Sequence, residues 1–188
     1  MKEKSFEKYH DLEEYLFGEV SKNFEKNGFL TADEFFCIII WKANRVKSKI
    51  AQKFGKESPL DEAISKLTRA IYQARTNKEK LRILICGDYG FYLPTASAIL
   101  SVLYPDDFSV YDYRVCDILK ECLKTDKYHK IKYWIFERLW DGYLDYLNQV
   151  KLISGKKNFR DADKYLWGKS FYTQLQKDIK NHFERNEN

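Results

Sequence analysis

The stretch "GFYLPTASAILSVLYPDDFSVYDYRV", residues 90–115, decides how the chain is read. A glycine turn opens it, and an apolar run carrying Ala96, Ser97 and Ala98 follows. Pro105 ends that run, and a short extended piece delivers Asp112. Small side chains in sequence let another helix approach closely, so residues 94–103 are expected to be a tightly packed helix. Upstream, Asn77 is placed to cap the helical pattern "KEKLRILIC", which stops at Gly87. The linker "GDYGFYL" is therefore expected to fold two helices back on each other, with Gly87 and Gly90 taking the positive φ that strains other residues. A sharp turn into a helix also presents backbone N–H groups and the positive end of the helix dipole, which suit a phosphate. An ordinary helix–helix turn accounts for the same glycines. Asp112 or Tyr113 starts the next helix, to about Leu123, and a capping role for Asp112 is one of its two readings.

Working outward, a 3.6-residue period runs through nearly the whole chain, which is expected to be all-α, a single helical domain over 1–188 with two lobes allowed. Residues 5–25 read as one helix with Phe6, Tyr9, Leu12, Leu16, Val20 and Phe24 along one stripe, ended by Asn27-Gly28. Thr31-x-x-Glu34 has the form of a capping box, and the helix it opens carries an apolar face of Phe36, Ile40, Ala43, Ile50 and Phe54. At 100° per residue, Lys42, Arg45, Lys49 and Lys53 share a stripe about 80° wide beside the apolar face. Such a stripe is either a solvated surface or faces something anionic. Ser58-Pro59 is expected to start a third helix. Residues 127–150 read as one long helix packed through Tyr133, Phe136, Trp140, Leu144 and Leu147. The basic loop "SGKKN" precedes a last helix over about 161–183.

The 188 residues contain 44% hydrophobic and 32% charged side chains, a composition suited to an ordered domain. No apolar run approaches the roughly 20 residues of a membrane span, and the N-terminus lacks a signal-peptide pattern, so the chain is expected to be cytoplasmic and away from membranes. Cys37, Cys86, Cys116 and Cys122 have no paired spacing and are expected to be reduced, buried thiols. With His10, His129 and His182 far apart, no metal site is expected. The net charge of +5 is uneven: residues 31–56 carry six Lys or Arg against two acids, whereas residues 82–117 carry two against five. An anionic polymer would meet the flanks of the hairpin first.

The order of parts over residues 77–122 resembles the helix-hairpin-helix base-excision DNA glycosylase superfamily. The matching elements are Gly90 of the hairpin, Thr95-Ala96 with Ala98-Ile99-Leu100, and Val110-Tyr111-Asp112 leading into Tyr113-Arg114-Val115. The resemblance implies a glycosylase-like helical array, double-stranded DNA as partner, no cofactor, and Asp112 as the catalytic acid group. That aspartate stabilises the charge that builds on the sugar, or assists the attacking water, as the base–sugar bond of an extruded nucleotide breaks. It further implies DNA contacts at Gly87, Gly90, Phe91, Tyr92 and Thr95, joined by Lys42, Arg45, Lys49, Lys53 and Arg114. Bifunctional members carry a lysine nucleophile eighteen residues before the aspartate, where this chain has Pro94. The implied DNA-repair hydrolase is therefore monofunctional. The family's Gly-x-Gly is Gly90-Phe91-Tyr92 here, and the four-cysteine cluster of some relatives is absent.

Two other readings stand beside this one. A chain that has lost the lysine suits a catalytically inactive helix-hairpin-helix DNA-binding module. Alternatively, 14 Tyr, 13 Phe and 4 Trp supply the side chains of an all-helical protein-interaction domain.

Overall fold

Local capping chemistry sets several helix starts. Thr31 Oγ1 accepts the Glu34 N–H at 3.3 Å while the Glu34 carboxylate accepts the Thr31 N–H at 3.0 Å, the expected reciprocal box. A second box, Thr76 with Glu79, makes Thr76 the N-cap and Asn77 the first helical residue, one position earlier than expected. The computed structural model describes residues 6–55 and 59–183, and all regular elements among them are helical. They are α1 (Leu12–Tyr15), which continues through a π turn (Leu16–Val20) into α2 (Ser21–Asn27), α3 (Ala32–Ala43), α4 (Lys47–Lys53), α5 (Leu60–Gln73), α6 (Asn77–Cys86), α7 (Leu93–Leu103), α8 (Tyr113–Leu123), α9 (Lys127–Lys130), α10 (Phe136–Ser154) and α11 (Phe159–Phe183). The chain divides into two compact units at Phe108–Ser109, inside the stretch quoted at the outset.

The first unit is built around α7, which packs against α2, α3 and α6. Apart from Pro94 and Thr95, all α7 residues are buried, as a helix apolar on every side must be. The expected close approach at Ala96, Ser97 and Ala98 is present, with each at most 1% exposed. Phe35, Phe54 and Phe91 form an aromatic cluster beside it, with ring centroids 5.6–6.3 Å apart.

In the second unit α8 and α10 both pack on α11. Its core is rich in tyrosine, and their hydroxyls are used. Tyr143 donates to Ser109 O at 2.5 Å, Tyr146 to Val110 O at 2.8 Å, and Tyr111 to Tyr128 O. The extended segment that delivers Asp112 is thus fastened by two hydroxyls from α10, which satisfy carbonyls that would otherwise be buried without partners.

Several expectations need correction. The first helix begins at Leu12, where Asp11 accepts two backbone N–H groups, so Phe6 (71% exposed) and Tyr9 fall outside its buried stripe. The basic segment is not one helix, because Ala43 leaves the helical region (φ −164°, ψ 83°) and a 3-10 turn, Asn44–Val46, separates α3 from α4. The buried residues there are Phe35, Ile38, Ile39, Ile50 and Phe54, while Phe36, Ile40 and Ala43 are half-exposed. Pro59 is itself the N-cap of α5, and the expected cap Ser58 lies outside the described residues. The long helix over 127–150 is interrupted at Trp134 and Ile135, both extended. There the Trp134 ring lies over Gly142, where a Cβ would come within 2.6 Å of it. Tyr133 is consequently 77% exposed, and the face of α10 that enters the core is Leu139, Tyr143, Tyr146, Leu147 and Val150.

Of the four cysteines, all free, only Cys116 is buried. Cys86 and Cys122 are exposed, contrary to expectation, and Cys37 is intermediate. Burial also pushes the Cys116 thiol up to about 12. An alkylating reagent at neutral pH is expected to label Cys86 and Cys122 at once and Cys116 only on addition of denaturant. Equal labelling rates at Cys116 and Cys122, read by mass spectrometry, would contradict this packing. No helix among the described residues is long and apolar enough to cross a membrane, and no group of three or more His, Cys, Asp or Glu among them is placed to hold a metal ion.

Candidate functional site

Helices α6 and α7 pack against each other across the turn at residues 87–92, and the two glycines of that turn do different work. Gly90 has φ +50°, with open space where a side chain would be. Gly87 has an ordinary φ of −77°; its need is for space, since a Cβ would lie 2.3 Å from the Ile83 carbonyl oxygen. The Gly90 N–H donates to Gly87 O, the Phe91 N–H to Leu84 O and the Thr95 N–H to Tyr92 O. Those donors are therefore occupied. The amides of Tyr92 and Leu93 are left with no acceptor among the described residues, and α7 has no side-chain cap. Tyr92 stands at the mouth of this helix, 76% exposed, whereas the Phe91 side chain is 2% exposed and belongs to the core. Of the hairpin residues named from sequence, Gly87, Gly90 and Tyr92 are open, Thr95 is half-buried, and Phe91 presents no side chain.

The basic residues are placed unevenly. Lys42 is half-buried on α3, Arg45 is exposed in the 3-10 turn, and Lys49 and Lys53 are exposed on α4. Because the helix breaks at Ala43, they do not form the 80° stripe that a continuous helix would give. Lys53 Nζ donates to Tyr89 O at 2.8 Å and to Gly90 O at 3.3 Å. This ammonium ties α4 to the hairpin and places a cation there, a contact with no signal in the sequence because thirty-six residues separate the partners.

Asp112 belongs to the second unit, the hairpin to the first. Its carboxylate, half-buried, accepts the Arg114 N–H at 2.9 Å as N-cap of α8. Beside it the Arg114 guanidinium lies 5.3 Å from the Trp167 ring centroid and 5.6 Å from that of Phe171. Tyr113 is 62% exposed at the same helix end, and Tyr111 is buried. Trp167 and Phe171 were not foreseen, though their i, i+4 spacing on α11 was a readable signal. Compared with protein-family models, curated proteins and solved structures, the chain matches none.

Proposed function

We propose that this chain is a DNA-binding protein of DNA glycosylase-like kind, a monofunctional base-excision hydrolase with Asp112 as its catalytic residue. The observation that carries the reading is the hairpin. An uncapped, buried helix starts at a glycine turn with two amides unoccupied among the described residues, an exposed tyrosine at the mouth, and a lysine ammonium fixed to the turn. Backbone donors beside a cation suit a sugar-phosphate strand. In the proposed reaction the bond from sugar to base breaks with its electron pair leaving on the base. Water oxygen then bonds to the sugar carbon and gives its proton to Asp112 or to solvent, and the base takes a proton from solvent. The carboxylate stabilises the positive sugar as the bond lengthens. Pro94 offers no amine, so no strand cleavage through a Schiff base is expected.

The test is release of free base from duplexes carrying damaged or mismatched bases. Asp112→Asn is expected to lower release about 100-fold. It should leave melting almost unchanged, because Asn caps a helix about as well as Asp. Undiminished release would remove the catalytic role. Duplex binding should weaken steeply with salt, and Lys42, Arg45 and Lys49 reversed to Glu should abolish it. Salt-insensitive or absent binding would remove both the enzyme and the inactive-module readings.

One observation favours the protein-interaction reading as a second choice. From Phe171 to Asn181 no residue of α11 is buried, yet Tyr172, Leu175 and Ile179 are apolar and exposed. Exposed apolar side chains along a helix end suit a protein partner. A stable assembly by sedimentation velocity, without affinity for DNA, would decide for it.

A further inference from the structure

We propose that the seam between α8 and α11 in the second unit binds single-stranded nucleic acid. Bases would stack at Arg114, Trp167 and Phe171, and phosphates would meet Lys120, Lys124 and Lys177. The ligand class rests on the nucleic-acid reading above, but the residues are separate from the hairpin.

The aromatic part is not explained by the core. The buried residues of α11 are Phe159, Ala162, Asp163, Leu166 and Ser170, a set complete without Trp167 (42% exposed) or Phe171 (46% exposed). These two rings nonetheless lie parallel, 6° apart in plane at 5.5 Å, with the Arg114 guanidinium against both. An ordered, water-facing pair of rings with an arginine is the arrangement on which nucleobases stack, whatever their sequence.

The charged part adjoins it on the same two helices. An open groove of about 800 Å³ lies between α8 and α11, and Lys120, Lys124 and Lys177 line it. Of the acids in its walls, Asp117 is bonded to His129 Nε2 at 2.9 Å and Asp126 to Lys130 Nζ at 2.8 Å. Only Asp126 is thereby paired with a lysine, so Asp117 and Glu121 stand opposite the three lysines, and Ser170, Thr173 and Gln174 add polar groups. From Arg114 to Lys124 the helical rise is roughly 15 Å, room for a few nucleotides. An acidic peptide would use the lysines and leave the ring pair idle, so the arrangement favours a ligand with both flat bases and phosphates.

Anisotropy of a labelled oligothymidylate with the full chain tests this. Wild-type protein is expected to bind, and Trp167→Ala with Phe171→Ala should weaken binding about 10- to 100-fold. Lys120→Glu with Lys177→Glu should weaken it and flatten its salt dependence. All four side chains lie outside the core, so melting should hold and show that loss of binding is not unfolding. Absent binding, an unaffected ring variant, or displacement by oligoglutamate as effective as by unlabelled oligothymidylate would each overturn the proposal, the last in favour of an acidic peptide. The two readings fail separately. Duplex binding lost on reversing Lys42, Arg45 and Lys49, with no single-strand binding, overturns the seam alone. Single-strand binding at the rings without duplex binding overturns the hairpin alone.

Discussion

Above pH 10 the second unit is expected to lose about 4 kcal/mol of stability per pH unit. Tyr111, Tyr143 and Tyr146 are at most 2% exposed, and burial holds each phenol well above its ordinary value. The unfolded chain gives up these protons near pH 10, while the folded unit keeps them. From there upward the unfolded state binds fewer protons, so stability falls with rising pH. Below pH 10 both states are neutral and the contribution is fully present. Three phenols at about 1.4 kcal/mol per pH unit each give the slope. Cys116, raised by burial to about 12, adds a further, earlier decline from about pH 9. Urea titrations at about pH 9 and about pH 11, followed by the near-ultraviolet signal, measure it. Tyr143→Phe should cost about 1–2 kcal/mol at neutral pH by stripping Ser109 O of its donor, and should remove about one third of the alkaline slope. Stability independent of pH across this range would mean that the phenols are not sealed in the core.

Gly87→Ala is expected to cost about 3 kcal/mol, and Gly90→Ala only about 1. At Gly87 the new methyl meets the Ile83 carbonyl oxygen at 2.3 Å. A main-chain atom inside a helix cannot swing aside as a side chain would, so the end of α6 must shift. At Gly90 there is open space, and the cost is only that of an L-residue at φ +50°. For a chain of this size the first substitution lowers Tm by roughly 6–12 °C. Thermal melts of the two variants give the comparison, and the reverse order would show that the turn is shaped by φ at Gly90 more than by the contact at Gly87. Because Lys53 and the unoccupied amides are arranged about this turn, the duplex binding proposed above should be weakened more by Gly87→Ala than by Gly90→Ala.

The elements legible in the sequence are those whose hydrogen bonds close within a few residues. The Thr31–Glu34 box, the left-handed Gly28 at a helix end, and Asp112 at the head of α8 were all readable from spacing. So were the all-helical class and the tight packing of α7, since an apolar run of small side chains has few other uses. A turn at residues 87–92 between two helices was legible too, although the reason for Gly87 was not, because it lies in a contact and not in a dihedral angle.

What tertiary structure decided is which face of each helix is inside and where long helices stop. Residues 127–150 carry apolar side chains on more than one face, so periodicity alone chose Tyr133 and Leu144. Packing of Trp134 on Gly142 broke the helix and turned Tyr143 and Tyr146 inward instead. Those hydroxyls then found Ser109 O and Val110 O, thirty-four and thirty-six residues away, as Lys53 found the hairpin. Capping and turn chemistry are short-range and therefore written locally. Burial and long-range hydrogen bonds depend on which surfaces meet, a property of the folded chain that no window of residues contains.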